Sequence, residues 1–226
     1  MSPQDVFLQQ VLANPDDMTL RLVYADWLME HGDPRGELIR LQCRLAQSFT
    51  PEQAAGRQRL EARVKELLGA HREAWSMPVP NPSGNVAAED QLPRCGACEF
   101  RRGFVEAVCW DAKRFVQHAE RLFGAYPLLR HLTLLLWSDD PREEVPAQGL
   151  ETLASIPQLI RLRSLKLNPD QGWLGSEFNE NWYSYPIGPF GARLLAASPH
   201  LANLTTLDLT ANRIGPEGVA ALAVLL

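Results

Sequence analysis

Apolar residues recur along this chain at two periods, and the change of period divides it. From Ser2 to about Met77 the spacing is helical. Val6, Phe7, Val11 and Leu12 make a first amphipathic stretch over Asp5 to Ala13, and Asn14-Pro15-Asp16 breaks it. Asp16 or Asp17 is placed to cap a second helix whose apolar face takes Leu20, Leu22, Val23, Ala25, Trp27 and Leu28. His31-Gly32-Asp33-Pro34 stops that helix, because proline cannot continue it. A third helix is predicted from Arg35, with Leu38, Ile39, Leu41, Cys43 and Leu45. Thr50-Pro51-Glu52-Gln53 reads as the start of a fourth: a capping residue, proline at the first position, glutamine at the third. Leu60, Val64, Leu67 and Leu68 then form its face.

A proline-rich stretch, about Pro78 to Arg94, reads as a linker. After it the pattern changes. Phe100-Arg-Arg-Gly-Phe104 predicts a hairpin turn, and Val105 to Trp110 alternates like a half-buried strand. Three strand-then-helix units follow. Their strands are Leu129-x-x-Leu132-x-Leu134, Leu162-x-x-Leu165-x-Leu167 and Leu204-x-x-Leu207-x-Leu209-x-x-Asn212. Helices are predicted from Asp111 through Phe123, Gly149 to Ile156, Gly191 to Ala197 and Gly218 to Leu226. Such a coil buries its leucines only by stacking on a neighbour.

Leu132, Leu165 and Leu207 are spaced 33 and 42 residues apart. A strand-plus-helix repeat takes about 20–29 residues, so each gap carries an insertion, near 137–148 and at 169–189. The second is aromatic, with Trp173, Phe178, Trp182, Tyr183 and Tyr185, and Phe190 just after it. Insertions in repeat arrays map to loops, often on the binding side, and aromatics are enriched at interface hot spots. Packing of these rings over the irregular repeat is the competing expectation.

Two resemblances follow from these residues. Leu204 to Ala223, LTTLDLTANRIGPEGVAALA, resembles the ribonuclease-inhibitor-like class of leucine-rich repeats. That resemblance implies parallel strands lining a concave surface that binds proteins, as in ribonuclease inhibitors and Ran GTPase-activating proteins. Leu20 to Gln42, LRLVYADWLMEHGDPRGELIRLQ, resembles the repeat-companion domain at the N-terminus of many bacterial repeat proteins. In that family the segment precedes a Phe-Arg-Arg-Gly-Phe-like stretch, as at Phe100 to Phe104, and then leucine-rich repeats. It carries an architecture and no biochemical activity.

Composition changes this picture little. Of 226 residues, 46% are hydrophobic, and the net charge of -5 disfavours a general nucleic-acid binder. The N-terminus has no basic region followed by an apolar run, and Leu132 to Trp137 is far too short to cross a membrane, so a cytoplasmic setting without membrane contact is expected. Four cysteines make no disulfide framework. Cys95-x-x-Cys98, with Cys109 and His118, is the one candidate zinc set; ordinary thiols are the expected reading, because Cys109 falls on a strand and His118 on the next helix. Tyr24, Asp26, Trp27, His31, Asp33, Arg35 and Glu37 resemble a polar site but are better explained as core and helix-turn residues, with Trp27 in the core. Asp139, Asp140, Glu143 and Glu144 form an acidic loop. No nucleophile–base–acid motif or phosphate-binding glycine loop is present, so no enzyme activity and no cofactor is expected.

The expected protein is therefore α/β. A helical bundle over 1–77 caps a short leucine-rich-repeat solenoid with a parallel sheet over 95–226, joined by the linker at 78–94. Its expected function is a non-catalytic protein-interaction scaffold. The contact residues are Thr133, Lys166 and Asp208 between the strand leucines, with Trp173, Trp182, Tyr183 and Tyr185 of the insertion. Arg130, His131, Arg163, Ser164, Thr205 and Thr206 flank them. A regulator of a partner enzyme and a zinc-stabilised structural protein are the alternatives. The apolar Ala-Val-Leu-Leu226 end raises self-association through the last coil.

Overall fold

The computed structural model describes residues 3–76, 98–138, 147–168, 183–184 and 186–223. The proline-rich stretch, Cys95, the acidic loop, most of the aromatic insertion and the last three residues lie outside them. The chain forms two compact units, Met1–Glu106 with Tyr126–Leu128, and Ala107–Ala125 with Leu129–Leu226.

The first unit holds α1 (Pro3–Ala13), α2 (Met18–Glu30), α3 (Arg35–Leu45) and the long α4 (Ala54–Ser76). Asp17 caps α2, its Oδ1 accepting from the N–H groups of Thr19 at 2.8 Å and Leu20 at 3.3 Å. The turn into α3 is closed by Asp33, whose N–H donates to the Leu28 carbonyl and whose Oδ1 accepts from Arg35 N–H at 2.8 Å. Before α4, Gln53 Oε1 accepts from Thr50 N–H at 3.2 Å, as the capping pattern predicts. Val11, Tyr24, Ala25, Leu28, Ile39, Cys43, Phe104 and Leu128 form one apolar core. Two α2 positions differ from the sequence expectation. Val23 is 44% exposed, and Trp27 is half-buried at the core's edge, between Phe7, Tyr24 and the stacked His31 ring. The buried stripe of α2 runs through Arg21, Tyr24, Ala25 and Leu28, one residue round from the face the leucines suggest.

β1 (Cys98–Arg101) and β2 (Phe104–Asp111) make the expected hairpin. Arg102 and Gly103 both take positive φ, 50° and 85°, the backbone of a type I′ turn. β2 is not half-buried: every residue from Phe104 to Trp110 is inside. It is an interior strand of a five-stranded sheet of order β1, β2, β3 (His131–Leu135), β5 (Ser164–Asn168) and β7 (Thr206–Asp208), and interior strands read as continuous apolar runs.

In the second unit, α5 (Ala112–Ala125) leads to β3 (His131–Leu135). β4 (Trp137–Ser138), α6 (Ala147–Ala154), β5 (Ser164–Asn168), β6 (Tyr183–Ser184), α7 (Gly188–Ala197), β7 (Thr206–Asp208) and α8 (Gly215–Leu222) follow. Strands β2, β3, β5 and β7 are parallel neighbours. Leu132 pairs with Leu165 and Leu165 with Leu207, so the leucines share one register. α7 and α8 begin a turn earlier than predicted, at Gly188-Pro189 and Gly215-Pro216 rather than at Gly191 and Gly218. Both opening glycines sit at positive φ, 62° and 61°, which lets proline enter the first turn. These helix starts lie 27 residues apart, a normal repeat length. The excess in the 42-residue strand spacing therefore lies between β5 and α7, within one coil. β4 and β6 pair antiparallel, Trp137 with Ser184 and Ser138 with Tyr183, which ties the two insertions together.

Candidate interaction face

Alternation along β3, β5 and β7 sends the leucines inward and the residues between them outward. Leu132, Leu134, Leu165 and Leu167 are buried and Leu207 is half-buried. On the other face two rows cross the sheet. One is Ala107, His131, Ser164 and Thr206; the other is Cys109, Thr133, Lys166 and Asp208. Thr133, Lys166 and Asp208 are half-exposed neighbours, so the three residues between the strand leucines form one continuous line. Lys166 Nζ lies 3.1 Å from Asp208 Oδ2. The Asp208 carboxyl is held down at about 2, first by its hydrogen bonds to Thr210 and then by Lys166. Cys109 closes the row on β2, and its thiol is pushed up to about 11 by burial, partly offset by Lys166. The side chain is 5% exposed and packs within the sheet.

Asn212 explains why an asparagine follows the last strand. Its buried side chain donates to the Leu167 carbonyl at 2.8 Å and the Thr210 carbonyl at 3.1 Å, and accepts from Ile187 N–H at 3.3 Å. One amide thus satisfies backbone groups of two successive coils, which would otherwise be buried without partners. The strand entries repeat a second device. The Arg130 carbonyl accepts from the N–H groups of Arg163 and Ser164 at 2.7 and 3.1 Å. The Arg163 carbonyl accepts from those of Thr205 and Thr206 at 2.8 and 3.1 Å.

The hairpin and the polar residues of α2 and α3 form a separate arrangement inside the first unit. Arg21, fully buried, donates to the Pro15 carbonyl from Nε at 3.1 Å and Nη2 at 2.7 Å, and to the Arg102 carbonyl from Nη1 at 3.1 Å. Its Nη2 also lies 2.8 Å from Oε1 of Glu106, which is 1% exposed. Arg102 Nη2 reaches the other Glu106 oxygen at 2.8 Å. Arg35 Nε donates to the Gly103 carbonyl at 3.1 Å, and Arg35 and Arg21 both lie over the Phe104 ring, at 5.0 and 5.3 Å. Gln42 completes the clasp: Oε1 accepts from Gly103 N–H at 2.7 Å and Nε2 donates to the Phe100 carbonyl at 2.9 Å. Burial pulls the Arg21 and Arg35 guanidiniums below their ordinary range. Glu37 pairs with Arg63 of α4 in two parallel hydrogen bonds of 2.8 Å, which holds its carboxyl low. Asp26 is exposed, 3.5 Å from Arg40. Tyr24, Asp33, Arg35 and Glu37 are thus taken up in packing, turn closure and helix pairing. Sequence reasoning missed Arg21, Gln42 and Glu106. The available signal was a lone arginine inside the apolar run Leu20 to Val23.

Cys98 is buried and donates to Tyr126 Oη at 3.7 Å, and that hydroxyl donates to the Ser76 carbonyl at 2.8 Å. His118 stacks near Trp110 at 6.4 Å, at a kink in α5. Among the described residues no group of three His, Cys, Asp or Glu side chains is arranged to hold a metal. Cys95 lies outside those residues, as do Trp173, Trp182 and Tyr185; Tyr183 is placed by its backbone in β6 alone. Phe190, on α7, is 41% exposed, with Arg193 over its ring at 5.9 Å.

A family model described as Leucine Rich repeat matches residues 200–223. That stretch holds β7, the Asn212 turn and α8, so the last coil carries a leucine-rich repeat. No curated protein and no solved structure matches the chain. Among the described residues no helix is long and apolar enough to cross a membrane.

Proposed function

We propose that the chain is a non-catalytic protein-interaction scaffold, and that it binds its partner on the outward face of the β3-β5-β7 strands. One observation carries the reading. The leucines share a single register, which leaves Thr133, Lys166 and Asp208 as an unbroken polar line beside them. The leucine-rich repeat at 200–223 supports it, since such repeats commonly serve protein binding. The wider architecture belongs to the same proposal: a short solenoid over 95–226, with the repeat-companion-like helices of 1–77 as its cap. So does the aromatic insertion as a second contact region, through Trp173, Trp182, Tyr183 and Tyr185.

The test compares a crowded strand face with a crowded helix layer. Thr133→Trp and Lys166→Glu should abolish capture of the partner that the unaltered chain retains. Glu120→Lys on α5 should leave capture intact. Equal capture by all three, each still folded by circular dichroism, removes the strand face from the account.

A further inference from the structure

One contact between helices repeats along the second unit. Gly191 of α7 lies against α6, where a Cβ on it would stand 3.1 Å from Leu150 Cδ1. Gly218 of α8 lies against α7, where a Cβ would stand 2.9 Å from Ala192 Cβ. Each time the residue covered is the one that follows a helix glycine, in Gly149-Leu150 and in Gly191-Ala192, and both Leu150 and Ala192 are buried. α8 repeats the pair as Gly218-Val219, and there Val219 is 56% exposed. The strand leucines follow the same trend: Leu165 and Leu167 are buried, whereas Leu207 and Leu209 are half-buried. Among the described residues β7 pairs on one side only, with β5. The last coil therefore carries the half of the contact that receives another coil, with an open strand in the same unit. An open strand edge is a template for pairing with another chain.

We propose that a second copy of the same chain covers this coil, joined edge to edge through β7 about a two-fold axis normal to the sheet. Such a contact sets a surface against itself, so unmatched charge on that surface would oppose it. The two carboxylates of β7 and α8 are already matched within one copy. Lys166 lies 3.1 Å from Asp208, and Arg193 lies 3.6 Å from Glu217. The strand is also self-matching. Antiparallel pairing centred on Leu207 sets Leu207 against Leu207, and Thr206 of each copy against Asp208 of the other. A hydroxyl then faces a carboxylate, and no like charges stand directly opposite. With the axis normal to the sheet, both leucine faces stay on one side. The two α8 helices run antiparallel there, with their dipoles opposed, and Val219 of each is covered by the other. The outward rows of both copies then lie on one continuous sheet.

The full chain is followed by sedimentation velocity at rising concentration, where a monomer–dimer equilibrium is expected. Val219→Lys should weaken the dimer by about tenfold or more, because it sets a lysine of each copy into an apolar contact. Val6→Lys, at an exposed valine of α1, should leave the dimer unchanged. Paired Cα atoms lie about 4.5–5.5 Å apart across antiparallel strands, within disulfide range. Leu207→Cys should therefore give, on mild oxidation, a disulfide-linked dimer that the unaltered chain does not form, and Thr210→Cys should not. A chain that stays monomeric, a dimer equally strong in Val219→Lys, or no cross-link from Leu207→Cys overturns the proposal. A dimer broken by Val6→Lys alone moves the contact to α1 and overturns it as well.

Discussion

A guanidinium sealed from water needs acceptors for its donors and a counter-charge; Arg21 finds the acceptors in the Pro15 and Arg102 carbonyls and the counter-charge in Glu106, 2.8 Å away. Removing one partner of a buried ion pair strands the other charge and costs about 3–5 kcal/mol. Glu106→Gln should therefore be strongly destabilising in urea unfolding. Arg21→Met should cost less than Glu106→Gln, because Glu106 keeps Arg102 at 2.8 Å. The double variant should lose less than the two single losses together; simple additivity would show that the pair is not coupled. Asp208 makes a different prediction. Its folded value is depressed to about 2, so its contribution is present above the unfolded value of about 3.9 and is lost as pH falls through 2. The Thr210 hydrogen bonds are the larger cause. Thr210→Val should raise the Asp208 titration midpoint more than Lys166→Met does, read by NMR; the reverse order would make the ion pair dominant.

At the scale of elements, the strands were legible because their leucines must meet in register, and Leu132, Leu165 and Leu207 do. Helix starts were less legible. Gly191 and Gly218 looked like openings, but glycine and proline at 188–189 and 215–216 open each helix one turn earlier, through a positive φ that composition does not display. Asn212 was recognisable as a turn residue, although its service to two coils was not. The hairpin clasp escaped because it joins residues far apart in sequence. Arg21 reads as a misplaced charge until Glu106 is beside it, and β2 reads as alternating until it is seen inside the sheet. The register itself makes a prediction. Lys166 and Asp208 are paired neighbours, about 4.8 Å apart between strands, within disulfide range. Lys166→Cys/Asp208→Cys should oxidise to an intramolecular disulfide. Lys166→Cys/Thr206→Cys, offset by two positions, should not. Equal oxidation of both pairs would mean that the register is not fixed.

At the scale of the whole molecule, the two units carry different kinds of polar group. In the first, Arg21 and Arg35 are taken up internally, by carbonyls, Glu106 and the Phe104 ring. In the second, the sheet leaves its polar rows on the outside while Asn212 and the backbone ladders bind coil to coil. The first arrangement fixes a fold; the second fixes a fold and leaves a surface. The proposed binding face is the second of these, on the strands of the second unit. A photo-crosslinking amino acid installed at Thr133, and separately at Glu120 on α5, tests it most directly. In the presence of the partner, the account predicts a covalent adduct from position 133 and none from position 120. An adduct from position 120, with none from 133, would contradict it.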